Sequence, residues 1–223
     1  MVKLGLKVET KVIPKDCITI FVVEKEREAY QAAVGPGYRI VSGEKGVVNQ
    51  RRFIENFYPA GTHIVSIDDN VIRIGHDVNR FPTLHSFFLH AFDACVEHGA
   101  FIWGVYPEWK PSERTRREEI STSLNFIAGT FYGYINRPGH LPPIHVSYNS
   151  EAMERTLLYY EADGKVLRFN RVGYKVTNFP GNGDCKTVNE DVNYLCASYS
   201  QHGKRGKQTK GSLPKFVLNK LVN

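Results

Sequence analysis

Between Ile18 and Ile67 the chain alternates short β-branched runs with helix-forming stretches, and this alternation constrains the fold more than any other feature. Ile18-Thr19-Ile20-Phe21-Val22-Val23 suits a strand buried on both faces. Glu24 to Val34, rich in Glu, Ala, Lys and Gln, reads as a helix closed by Gly35-Pro36-Gly37. Tyr38-Arg39-Ile40-Val41 forms the next strand, ended by Ser42-Gly43. Val47 to Tyr58 places Val47, Ile54, Phe57 and Tyr58 near helical spacing, and Pro59-Ala60-Gly61 stops it. His63-Ile64-Val65-Ser66-Ile67 is a third strand, running straight into Asp68-Asp69-Asn70. The order β-α-β-α-β with short connections predicts a parallel sheet with crossover helices.

The remainder is mixed. Thr83 to His98 reads as a helix, and Phe101 to Tyr106 as an aromatic strand ending at Pro107. Lys110 to Glu119 is a charged loop with Pro and Ser. Leu124 to Ile135 is strand-like with Gly129 and Gly133 inside it. Ser150 is placed to cap a helix reaching about Ala162, with Glu151 near the positive end of its dipole. Asp163-Gly164 turns into a strand over Lys165 to Phe169, and nothing regular is assigned beyond Pro180. The 223 residues suit one α/β domain over 1–201, followed by a basic tail over 202–223.

Charge locates that tail. The last acidic residue is Asp191, and from His202 onward six of the 29 basic residues occur with no acid. They are Lys204, Arg205, Lys207, Lys210, Lys215 and Lys220, so residues 1–201 balance 23 basic against 23 acidic side chains. A neutral body with a cationic arm suggests a polyanionic partner, most commonly nucleic acid, although such an arm can also serve only solubility. No run of apolar residues is long enough to span a bilayer, and Met1 to Lys7 is not a secretory signal. Cys17, Cys95, Cys185 and Cys196 form no CxxC, which implies reduced thiols in a cytoplasmic compartment, the host's if the protein is viral. The histidines lack HxxxH and HExxH spacing. GxGxxG, GxxxxGK[ST] and GxSxG are absent too, so zinc-peptidase, dinucleotide, Walker-type and hydrolase chemistries lack support.

Asp68-Asp69-Asn70 at a strand end is the sharpest chemical feature, because open parallel sheets bind ligands outside the carboxyl ends of their strands. Carboxylates there can hold Mg²⁺ or Mn²⁺, which prefers oxygen ligands and bridges nucleotide phosphates. The same triplet can equally cap and reverse a chain with no ligand. Arg51 and Arg52 on the preceding helix offer planar forks for phosphate, or simply a solvated surface pair. Glu151 and Arg155 stand four apart on one helix face, either as a surface ion pair or as a cleft-facing acid–base group. Trp103 and Trp109 can stack on a sugar or base, with core packing the simpler role.

The runs Pro36 to Gly43, Gly46 to Ile54 and Gly61 to Asn70 together resemble the glycosyltransferases associated with TET/JBP-type oxygenases in phages, relatives of the base J glucosyltransferase. The resemblance continues more weakly through Phe101 to Pro107, Phe126 to Gly133, Glu154-Arg155-Thr156 and Gly164 to Phe169. It implies a GT-A-like, Rossmann-type nucleotide-sugar-binding fold with a central, mostly parallel sheet. It also implies transfer of a sugar, such as that of a UDP-sugar, to the hydroxymethyl group of a modified pyrimidine in DNA. Carried onto this chain, it makes Asp68, Asp69 and Asn70 the Mn²⁺ or Mg²⁺ site. It makes Gln50, Arg51 and Asp68 nucleotide-sugar contacts, and Glu151 or Glu154 with Arg155 the acceptor-side catalytic group. Lys204, Arg205, Lys207 and Lys210 are the expected DNA contacts. Asn70 stands where the family pattern has a third acid, and Lys7 to Val12 would have to supply the opening strand of such a fold. The rivals are a non-catalytic DNA-binding module that keeps the fold, a transferase with a non-DNA acceptor, and a metal-dependent phosphoesterase.

Overall fold

The computed structural model describes residues 13–75, 80–107, 118–148, 150–177, 185–209 and 212–219. Lys7 to Val12, most of the charged loop before Glu119, Trp109, Lys210 and Lys220 lie outside them. The first βαβ unit forms as the sequence pattern dictates. Strand β1 (Thr19–Val23) and strand β2 (Arg39–Gly43) pair in parallel, Thr19 against Arg39 through Val23 against Gly43. A 3-10 turn (Glu24–Glu26) and helix α1 (Arg27–Val34) connect them, and Gly35 ends the helix at φ 71°, a conformation that a Cβ would strain. Helix α2 (Val47–Phe57) packs its aromatic face on β1: the Phe21 ring lies 5.3 Å from Phe57 and 6.2 Å from Phe53, both edge-on.

The main sheet departs from the expected mostly parallel arrangement. Its strands are β3 (His63–Ile67), β4 (Val71–Gly75), β5 (Ile102–Tyr106), β6 (Ile120–Ser121), β7 (Phe131–Ile135) and β8 (Leu167–Val176). They lie in the order β3-β7-β5-β8-β4, with β6 also beside β8. Only β5 and β8 run parallel; β3–β7, β7–β5, β8–β4 and β6–β8 are antiparallel, so the sheet is mixed. Parallel neighbours need a crossover, and among the described residues the two parallel pairs occur where a helix intervenes. That helix is α1 between β1 and β2, and α4 (Glu151–Asp163) ahead of β8. Strand β3 is not laddered to β1 or β2 among the described residues; its partner is β7.

Helix α3 (Leu84–His98) supplies the largest core cluster. Thr83 and Ser86 form a capping box, each backbone N–H donating to the other's hydroxyl. Phe87, Phe88 and Phe92 meet Trp103, which is fully buried, so this tryptophan packs rather than stacking on a ligand. The glycines within the expected strand serve close packing. A Cβ on Gly133 would lie 2.4 Å from Trp103 Cε2, and one on Gly104 would lie 2.7 Å from Ile127. The stretch 124–130 is irregular, so the strand begins only at Phe131.

Helix α4 begins without its expected cap. Ser150 sits at φ −116° and ψ −3°, near helical geometry, and its hydroxyl caps no amide; side-chain capping needs an extended residue there. Helix α5 (Cys185–Ser198) and the short strands β9 (Gly203–Arg205) and β10 (Phe216–Leu218) complete the chain. β9 and β10 pair antiparallel, and Phe216 is buried with Leu195 and Tyr199. No helix among the described residues is long and apolar enough to cross a membrane.

Candidate functional site

Four of the residues singled out in the sequence converge. Arg51 comes from α2, Asp68 follows the end of β3, and Glu151 and Arg155 lie in the first turns of α4. Arg51 donates Nη1 to Glu151 Oε2 and Nη2 to the Gly129 carbonyl at 2.7 Å, and its Nη2 is 3.7 Å from Asp68 Oδ1. Arg155 donates Nη1 to the other Glu151 oxygen at 2.9 Å, so one buried carboxylate joins two guanidiniums. Both cations also lie over the Tyr132 ring, Arg155 at 3.8 Å and Arg51 at 5.4 Å from its centre.

Burial sets the electrostatics. Glu151 is 2% exposed and Arg155 8%, whereas the Asp68 carboxylate is 43% exposed and faces outward. Desolvation pulls the Arg51 guanidinium below its ordinary pKa, and the neighbouring Arg155 charge acts in the same direction. Burial pushes Asp68 up to about 6 and Asp69 adds to the rise, against the opposing pull of Arg51 and Arg155. Asp68 therefore changes charge near neutrality, at the rim of a cluster whose deeper members are fixed in salt bridges.

The other expected residues divide. Asp69 is exposed and accepts a hydrogen bond from Tyr30 at 3.2 Å; burial and this carboxylate raise the Tyr30 hydroxyl to about 12. Asn70 keeps its carbonyl oxygen Oδ1 buried with no hydrogen-bond partner. Gln50 folds back over β2: its Oε1 accepts from the Glu44 amide at 2.6 Å and fills the space a Cβ on Gly43 would need. That contact braces the turn between β2 and α2. Arg52 is exposed.

Glu154 serves another end. It is fully buried, and Oε2 accepts from the backbone amides of His145 at 2.7 Å and Val146 at 3.0 Å. Buried Asp191 of α5 accepts from the amide and hydroxyl of the adjacent Ser147. Two buried carboxylates thus hold the turn that leads into Ser150 and Glu151. Lys204, Arg205 and Lys207 belong to the terminal hairpin and not to this cluster, and Lys210 lies outside the described residues.

Sequence reasoning missed three contributors: Tyr132, Gly129 and Tyr30. Gly129 stood out only as a glycine in an expected strand. Its role is local crowding, since a Cβ there would meet both Arg51 Nη atoms at 2.8 Å. Tyr132 alternates with Gly133 along β7 and carried no signal of the two cations above it.

The donors at the rim suit a hard divalent cation. Asp68 and Asp69 offer carboxylate oxygen, while the Asn70 Oδ1 is buried with no hydrogen-bond partner among the described residues. Among the described residues no group of three His, Cys, Asp or Glu side chains is preassembled, so a cation held here would complete its shell with phosphate or water. Comparison of the chain with protein-family models and with curated proteins finds no match.

Proposed function

We propose that the protein is a nucleotide-sugar-dependent glycosyltransferase of GT-A-like fold, transferring a sugar from a donor such as a UDP-sugar to the hydroxymethyl group of a modified pyrimidine in DNA. The observation that carries the reading is the meeting of Arg51, Asp68, Glu151 and Arg155 at the end of a sheet strand. Two guanidiniums balanced by one buried carboxylate leave a net positive wall beside an exposed acid. Such a wall binds and orients a diphosphate, and Arg is the side chain whose geometry suits it. Glu151 has both oxygens engaged, so it acts by holding the two cations in place rather than by taking a proton. Asp68, ionised above about pH 6, is the group available to a cation together with Asp69; the Asn70 Oδ1, buried in this structure, would join them only on turning outward. When bound, Mn²⁺ or Mg²⁺ would neutralise charge on the diphosphate leaving group.

Thermal unfolding with UDP, with and without Mn²⁺, on wild type and Asp68→Ala tests this reading. Ligand at about 100 times its Kd stabilises by about 2.7 kcal/mol, a shift of roughly 5–11 °C for a chain of this size. A metal-dependent shift that the substitution abolishes supports the donor site and directs attention to sugar transfer onto hydroxymethylated DNA. No shift with UDP or any other nucleoside diphosphate removes the transferase reading.

A further inference from the structure

The terminal hairpin has two unlike faces. Register places Arg205 opposite Phe216 and Lys204 opposite Val217, and opposed residues project from the same side of a ribbon. The inner side is anchored: Phe216 is 6% exposed in the cluster with Leu195 and Tyr199. Beside it, Arg205 donates to Asn189 Oδ1 at 2.9 Å and Asn193 Oδ1 at 2.6 Å, one turn apart on α5. Both partners are neutral amides, so the arginine braces the hairpin and keeps its full charge.

The outer side carries Lys204, Val217 and Lys215. The Gly206 amide donates to the Lys215 carbonyl at 2.9 Å. A Cβ on Gly206 would lie 2.6 Å from Val217 Cγ2 and 3.1 Å from Lys215 Cγ, so both side chains extend across this glycine on one face. Lys204 and Lys215 are exposed, as is Lys207 in the loop. No carboxylate follows Asp191 in the sequence, and Asp191 is buried against Ser147. Among the described residues no ion pair links Lys204, Arg205, Lys207 or Lys215 to an acid.

We propose that this hairpin is a preformed docking face for double-helical DNA, with Lys204, Lys215 and Lys207 contacting phosphates while Arg205 holds the ribbon from behind. Charge complementarity favours a polyanion: the outer face presents exposed lysines spaced along one ribbon and no acid, an arrangement that neutralises backbone phosphates. A membrane surface is the poorer match, because the outer face offers one half-exposed valine and no continuous apolar stripe. The inference rests on the nucleic-acid acceptor of the proposed function, but it is read through DNA affinity, independently of sugar transfer.

The test measures fluorescence anisotropy of a short, unmodified duplex with the full chain over a series of salt concentrations. The plot of log affinity against log salt should lose about 0.9 from its slope for each phosphate contact removed, about 1.8 for Lys204→Ala with Lys215→Ala. Val217→Lys, which adds a cation to the same face without touching the buried side, should steepen the slope by about 0.9. Unfolding midpoints should stay at the wild-type value in both variants. An unchanged slope in both, no duplex binding at low salt, or tighter binding to phosphatidylserine vesicles than to duplex would each overturn the proposal. The UDP and Mn²⁺ shift, measured in parallel, separates the two readings. A shift without duplex binding removes the docking face and leaves a transferase with another acceptor. Duplex binding with the expected slopes and no nucleotide shift keeps the docking face and removes the transferase.

Discussion

Removing the Glu151 carboxylate should unbalance the site more than any other single change. Glu151 is the only hydrogen-bonding partner that Arg155 has among the described residues: its Nη1 is engaged there, while Nε and Nη2 are buried without partners. In Glu151→Ala, Arg155 becomes a guanidinium 8% exposed with no hydrogen-bonded acid, left with the Tyr132 ring and the more distant Asp68 charge. Arg51 is less affected, because it keeps the Gly129 carbonyl and faces Asp68. Breaking a buried pair from one side costs about 3–5 kcal/mol. At about 2–4 °C per kcal/mol, the midpoint should fall by roughly 6–20 °C. Replacing both partners, Glu151→Leu with Arg155→Met, removes the stranded charge along with the pair. The double variant should recover to within about 1.5–3 kcal/mol of wild type, since an apolar pair of similar volume often matches a buried ion pair and what remains lost is the Arg51 bond to Glu151. Urea denaturation of wild type, both single variants and the double variant gives the coupling directly. A loss below about 1 kcal/mol in Glu151→Ala, or additive losses in the double variant, would refute the reasoning. The double variant also separates stability from function: if the cluster orients a diphosphate, the refolded protein should lose the UDP-dependent shift.

Other outcomes follow from the same geometry. Glu154→Ala leaves the buried Val146 amide without its acceptor, along with that of the more exposed His145, and should cost about 1–3 kcal/mol in urea denaturation. Gly133→Ala forces a methyl against Trp103 and should destabilise by at least about 1–3 kcal/mol, measured in the same way, whereas an Ala tolerated there would contradict the packing. The folded-state pKa of Asp68 stands above its ordinary 3.8, at about 6, so its contribution to stability is complete below about pH 4 and is lost as pH rises through 6. Solvent at the 43% exposed carboxylate keeps this effect small; Asp68→Asn should flatten that part of the pH–stability profile, and Mn²⁺ should restore stability above pH 6 in wild type only.

The sequence was informative where local chemistry decides structure. β-Branched runs, helix formers and Gly-Pro stops located β1, α1, β2, α2 and β3 to within a few residues, because each signal acts within its own element. It failed on pairing. His63 to Ile67 was placed correctly as a strand, yet its ladder to Phe131–Ile135 depends on residues nearly seventy positions away, and periodicity carries no information about partners. Strand β4 was hidden because only Asp68-Asp69-Asn70 separates it from β3, and so short a connection gives no sign that its ladder is with β8 rather than with β3. Helix α5 was missed because its apolar face, Val188, Val192 and Leu195, is diluted by polar residues that hold Ser147 and Arg205.

The candidate site shows the same division between residue type and partner. Arg51 and Asp68 read in the sequence as phosphate and metal contacts, and Glu151 with Arg155 as an acid–base group or a surface ion pair, but their tasks follow from burial, which sequence does not display. Glu151 and Arg155 read equally well as an exposed pair at helical spacing; within the fold both are buried, Arg51 takes the second Glu151 oxygen, and the exposed reading fails. Glu154, one turn of helix from Glu151 and just as acidic, points instead to the turn at His145 because α4 presents it to a different neighbour. The distinction matters for catalysis. A carboxylate held between two arginines serves as a brace, whereas Asp68, partly exposed and raised to about 6, is the acid that the proposed function leaves to meet a cation or phosphate. In the proposed transferase, the group left to meet a cation or phosphate is therefore Asp68, whose carboxylate the deeper cluster leaves incompletely paired.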